Sequence, residues 1–91
     1  MTIHLTITGK VQGVYYRASA KEEAQRLGVT GWVKNTRSGD VEILASGTGE
    51  SLDQFIHWCK QGPANAIVKE VLVAKATDED FDGFEVVRGN H

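Results

Sequence analysis

Between Thr8 and Arg17 the chain reads TGKVQGVYYR, with two glycines four residues apart, Gly9 and Gly13, and an arginine closing the segment. Glycines let a loop curl until several backbone N–H groups face one hollow, and such a hollow attracts anions. A helical pattern begins at Arg17, and a helix start is itself electropositive. A cation there is misplaced unless something negative joins it. The guanidinium brings a planar fork of donors suited to phosphate oxygens. A glycine turn followed by a surface arginine is the plainer reading of the same spacing. The Walker pattern G-x-x-x-x-G-K-[ST] is absent, so nucleotide hydrolysis by that route has no support.

The elements that must hold this loop are legible as patterns. Residues 3–8 alternate, with Ile3, Leu5 and Ile7 on one face and His4, Thr6 and Thr8 on the other, which predicts a half-buried strand. Gly9 to Tyr16 is the connecting loop. From Arg17 to Leu27 the pattern turns helical, with Tyr16, Ala20, Ala24 and Leu27 on one stripe and Gly28 as the C-cap. Two strands follow, 29–35 and 40–47, joined by a short glycine-containing turn. Ser51 is expected to cap a second helix, with Gln54 completing a capping box. Its apolar positions are Leu52, Phe55, Ile56 and Cys59, and Gly62 and Pro63 end it. Residues 66–76 form a fourth strand and 84–88 a short last one. The order β-α-β-β-α-β, with a possible fifth strand, predicts a ferredoxin-like split βαβ fold of class α+β, an antiparallel sheet with both helices on one face.

The 91 residues are expected to make a single domain spanning 1–91. Apolar content of 41% and charged content of 24% are those of an ordinary globular chain rather than a disordered one. A net charge of −2 argues against a nucleic-acid backbone binder, which needs a basic face. No secretory signal is recognisable at the start, and no run approaches the roughly 20 apolar residues of a membrane helix. One cysteine, Cys59, cannot close an intramolecular disulfide. A cytoplasmic location is the default, and nothing calls for more than a monomer.

The loop does not stand alone. GKVQGVYYR is followed by GWVKNTRSGDVE, beginning at Gly31. Together they resemble the acylphosphatase family, whose pattern is roughly G-x-V-Q-G-V-x-x-R and then G-x-V-x-N-x-x-D-G-x-V-E. The matching positions are Gly9, Val11, Gln12, Gly13, Val14 and Arg17, then Gly31, Val33, Asn35, Gly39, Val41 and Glu42. Gly62 with Pro63 and the FEV near the end are also familial, so the resemblance spans almost the whole chain. The departures are few. Ser38 stands where the family usually has Asp, Tyr15 and Tyr16 fill variable positions, and the chain ends VVRGNH rather than on the usual short aromatic ending.

The resemblance implies hydrolysis of the carboxyl-phosphate bond of acyl phosphates, giving a carboxylate and inorganic phosphate. It implies that Arg17 and the backbone N–H groups of Gln12, Gly13, Val14, Tyr15 and Tyr16 hold the phosphoryl group, and that Asn35 positions the attacking water. Inorganic phosphate becomes product and inhibitor, and no metal or cofactor is implied. Such a bare site is chemically sufficient. The leaving carboxylate has a conjugate acid of pKa near 4, so it departs without a proton. Phosphoryl transfer is then mostly positioning and charge stabilisation. An alkyl phosphate ester, whose alkoxide does need help, would be a poor substrate.

Other readings compete residue by residue. Asn35 is also an ordinary turn-former at a strand end, and Thr36 an ordinary turn hydroxyl. Tyr16 continues the apolar stripe, which places its side chain in the core. For Tyr15, the pocket mouth and a plain surface position are both open. Cys59 lies on an apolar stripe and reads as a buried thiol rather than a nucleophile. His4, His57 and His91 lack ligand spacing, and Trp32 and Trp58 read as packing residues. The acidic run 78–82 reads as a solvated loop. Among rival classes, an RNA-binding module of this fold needs aromatics on its central strands, and a metal carrier needs a cysteine pair. A non-catalytic module that binds a small anion with the same loop is the serious competitor.

Overall fold

The computed structural model describes residues 1–88, so the reading of His91 as a non-ligand lies outside the described residues. Strand β1 (Thr2–Lys10) leads to helix α1 (Tyr16–Leu27) and strand β2 (Thr30–Asn35). Strand β3 (Val41–Ser46), helix α2 (Gly49–Gln61), strand β4 (Ile67–Ala76) and strand β5 (Phe84–Val87) follow. The sheet order is β4-β1-β3-β2-β5. The four main strands pair antiparallel as expected, and the short fifth strand is present. It runs parallel to β2, so the sheet is mixed at that edge rather than antiparallel throughout.

The expected alternation of β1 decides which face is buried. Ile3, Leu5 and Ile7 pair with Ala45, Ile43 and Val41 of β3, and all six are buried. Tyr16, Ala20 and Ala24 of α1 and Leu52, Phe55 and Cys59 of α2 join them in one core, so both helices cover the same face. Phe84 of β5 closes that core edge-on to Phe55, with ring centroids 5.9 Å apart. Burial pushes the Cys59 thiol up to about 12, which makes it a packing group and not a nucleophile.

The boundaries that bear on the site and on the cap of α2 differ from the sequence reading, and the others agree to within a residue. The first strand runs on to Lys10 and α1 starts at Tyr16, so the loop shrinks to residues 11–15. Helix α2 starts earlier than Ser51. Thr48, in extended conformation, is its N-cap and accepts a hydrogen bond from the Ser51 N–H at 3.1 Å.

Two motif glycines serve the sheet itself. A Cβ on Gly31 would lie 1.8 Å from the Leu44 carbonyl oxygen, and one on Gly9 would lie 2.2 Å from that of Ile67. Both residues also have positive φ, 137° and 122°. Gly31→Ala is therefore expected to destabilise by roughly 3 kcal/mol or more, because the clash is with backbone that cannot rotate away. Gly49→Ala, where a Cβ meets nothing within 4 Å, is expected to be neutral or slightly stabilising. Urea denaturation of the two variants checks the contrast.

Candidate active site

The loop of residues 11–15 is pinned by its own apolar side chains. Val11 and Val14 turn into the core, 1% and 8% exposed. The positions between and after them turn outward. Gly13 and Tyr15 both adopt left-handed backbone, φ 74° and 63°. Glycine takes that conformation freely, whereas a tyrosine there is strained and is held by what surrounds it. Tyr15 is also the N-cap residue of α1, yet no side chain caps that helix and its first turn carries no acidic residue. The leading N–H groups of α1 are thus left for something outside the helix.

Arg17 follows in the first turn. Its neighbour Tyr16 fixes the turn in place. The Tyr16 ring is 1% exposed and packs 5.4 Å from the Trp58 ring, and its hydroxyl donates to the Cys59 carbonyl at 2.8 Å. Burial, with Cys59 alongside, drives the Tyr16 hydroxyl pKa well above its ordinary value, so the hydroxyl stays a donor. Tyr16 therefore belongs to the core, as its place on the apolar stripe predicts.

Asn35 comes from another element, the last residue of β2. The turn after it is tied by its own hydroxyls. Thr36 N–H donates to the Asp40 carbonyl at 2.9 Å, the Thr36 and Ser38 hydroxyls are 2.9 Å apart, and the Asp40 N–H donates to the Thr36 hydroxyl at 3.1 Å. Thr36 is thus a turn hydroxyl. Ser38, in the position where an Asp is usual, still holds the turn, donating to the Asp40 carboxylate at 3.3 Å.

Loop and hairpin meet in one cavity of about 390 Å³. Arg17 and Asn35 both line it, with Gly13, Tyr15 and Tyr16 on the loop side. Val11, Ala18 and Val86 form apolar wall. Tyr15, 82% exposed, stands at the rim. The Asn35 Oδ1 is buried and has no hydrogen-bond partner. No group of the described protein thus claims the amide oxygen, and the amide is free to turn either end toward the cavity. Of the five loop positions put forward for backbone binding, Gln12 and Val14 do not line the cavity.

Gln12 does something else, which spacing could not reveal. Its side-chain Nε2 donates to the Thr36 carbonyl at 2.9 Å and to the Asp40 carbonyl at 2.8 Å. That amide bolts the loop to the hairpin and so sets the position of Asn35 relative to Arg17. Gln12→Ala is expected to cost about 1–2 kcal/mol in chemical denaturation. Gln12→Glu is expected to cost more, since a carboxylate would face two carbonyl oxygens.

A second cation was also missed. Arg88, just past the end of β5, lines the same cavity. The pairs Val33 with Val86 and Lys34 with Val87 show how β5 runs beside β2, and one further step sets Arg88 beside Asn35. The alternation Phe84, Val86, Arg88 could have suggested its face, but not its partner strand. Among the described residues no acidic side chain lines the cavity, whereas two arginines do.

The sequence and its fold are similar to those of known proteins. The acylphosphatase family model matches residues 3–86. The acylphosphatase of Acidovorax sp. (strain JS42) is 52% identical over 93% of this chain and 88% of its own length. That of Gloeobacter violaceus is 46% identical over 93% of this chain and 91% of its own. The structure of an acylphosphatase from Coxiella burnetii superposes with a TM-score of 0.92 at 42% identity, covering 94% of this chain and 90% of that one. With the family model matched over residues 3–86 and relatives of about half identity over most of its length, the chain belongs to the acylphosphatase family.

Proposed function

We propose that the protein hydrolyses acyl phosphates by holding the phosphoryl group between Arg17 and the loop amides while Asn35 orients the attacking water. Family membership supports acyl phosphate hydrolysis as the activity. The observation that carries the residue roles is the shared cavity, to which different elements bring Arg17 and Asn35, whose side-chain oxygen has no partner in the protein. Water donates one O–H to the amide oxygen and turns a lone pair toward phosphorus. A half-turn of the side chain exchanges the donor and acceptor ends of the amide, so either can meet the water. As the new P–O bond forms, the bond to the carboxylate oxygen breaks and its electron pair leaves with the carboxylate. The water's proton passes to a phosphoryl oxygen. The guanidinium and the amide dipoles stabilise the charge spread over the equatorial oxygens.

The charge comes from the chain itself. Among the described residues no group of three His, Cys, Asp or Glu side chains is placed to hold a metal. Arg17 and Asn35 reach the cavity from one chain, which supports action as a monomer, and no described helix is long and apolar enough to cross a membrane. With its reduced thiol, a cytoplasmic setting suits it. The helix-free face of the central strands β1 and β3 carries His4, Thr6, Thr8, Glu42, Leu44 and Ser46 and so lacks the aromatics that base stacking needs.

The expected result is that purified protein hydrolyses acetyl phosphate at an undiminished rate in the presence of a chelator, with inorganic phosphate competing. Folded protein that binds phosphate but gives no turnover above background would leave only a non-catalytic anion-binding module.

A further inference from the structure

We infer that Arg88 is a specificity-determining residue that reads a carboxylate on the acyl portion of the substrate, which directs the site to monoacyl phosphates of dicarboxylic acids. The inference rests on the acyl phosphate reading of the same cavity. Three features carry it. The first is room: a phosphoryl group and one water need on the order of 100 Å³, at about 30 Å³ per water-sized unit. The cavity measures about 390 Å³, so most of it is left for the acyl group.

The second is the uncommitted charge. Arg17, at the helix start beside the loop, already supplies a cation to the phosphoryl end. Arg88 is a second one, contributed from the end of the edge strand β5 rather than from the helix, and it forms no ion pair among the described residues. The third is the character of the rest of the lining, where Ala18 and Val86 offer an aliphatic surface. A short carbon chain fits such a wall, and an anionic end fits the guanidinium beyond it. A carboxylate is a single negative charge matched by one fork of donors. A second phosphate dianion would want another cation, and the described lining holds no other.

The test compares two acyl phosphates with the same four-carbon trans backbone, crotonoyl phosphate ending in a methyl and the monophosphate of fumaric acid ending in a carboxylate. Their trans double bonds prevent the carboxylate from attacking its own acyl group. At low ionic strength the wild-type KM is expected to be about five- to tenfold lower for the fumaric compound, with similar kcat for both. Arg88→Gln is expected to erase that ratio and Arg88→Lys to keep part of it. Salt at about 1 M, where the Debye length is about 3 Å, is expected to erase it in wild type as well. Equal KM values in wild type would overturn the inference. So would an Arg88→Gln variant that weakens both substrates alike, since the guanidinium would then be serving the phosphoryl group. Hydrolysis of both compounds with equal KM removes the role of Arg88 alone. Hydrolysis of neither by folded protein removes the acyl phosphate reading and this inference together.

Discussion

Arg17→Ala is expected to lower kcat/KM for acetyl phosphate by about a thousandfold and to abolish inhibition by inorganic phosphate, while the protein becomes slightly more stable. The activity loss follows from removing a forked donor aimed at a phosphoryl group, since a single preorganised donor is typically worth about 10²–10³ in rate and a charged fork lies at the upper end. The gain in stability has a separate cause. Arg17 sits in the first turn of α1, where the helix field disfavours a cation by about 0.3–1 kcal/mol. Among the described residues Arg17 makes no ion pair to offset this. Removing it should raise the melting temperature by about 1–8 °C, at the 4–8 °C per kcal/mol usual for a domain of this size. A residue serving only the fold would do the reverse. Loss of stability in Arg17→Ala, with phosphate inhibition intact, would refute the assignment. Arg17→Lys should recover part of the phosphate affinity but less of the turnover, because it restores the charge without the fork.

That misplaced cation was the feature legible in the sequence, because helix starts and arginines can both be read without a fold. The half-buried strand β1 and the apolar stripe of α1 were legible for a similar reason, as their periods are local. What sequence left out depends on contacts between distant segments. Glycine at positions 9 and 31 looks like any turn glycine. Only the sheet shows that the Ile67 and Leu44 carbonyls come too close for a Cβ. Gln12 reads as a loop position contributing an N–H group, yet its side chain ties the loop to two carbonyls of the hairpin, 24 and 28 residues away. Arg88 enters the cavity because β5 pairs in parallel with β2, and neither the partner nor the register of a four-residue strand is encoded in its own alternation. The cap of α2 failed for a smaller reason. Thr48 and Ser51 both have plausible partners three residues on, and the extended backbone of Thr48 selects it.

Asn35→Ala is expected to lower kcat by about 10²–10³ while the inhibition constant for inorganic phosphate changes by no more than about threefold. The two variants thus divide the site. Arg17→Ala loses the phosphoryl group, whereas Asn35→Ala keeps it and loses the aim of the water. The structure makes this separation testable without ambiguity from folding. The Asn35 Oδ1 is buried with no partner, so removing it deletes an unpaired polar atom rather than a bond. The variant is expected to stay within about 1 kcal/mol of the parent in stability, since no hydrogen bond from the protein to that oxygen is lost. Asn35→Asp sharpens the test. It keeps the shape but places a negative charge in a cavity whose described lining has no acidic side chain, so phosphate inhibition should weaken as well as turnover. Steady-state kinetics of both variants with phosphate titration measures the split. Should Asn35→Ala keep the full rate, an amide that orients water is not part of the reaction. The cavity would then retain only its grip on the anion, and the water would have to be aimed by the substrate's own oxygens.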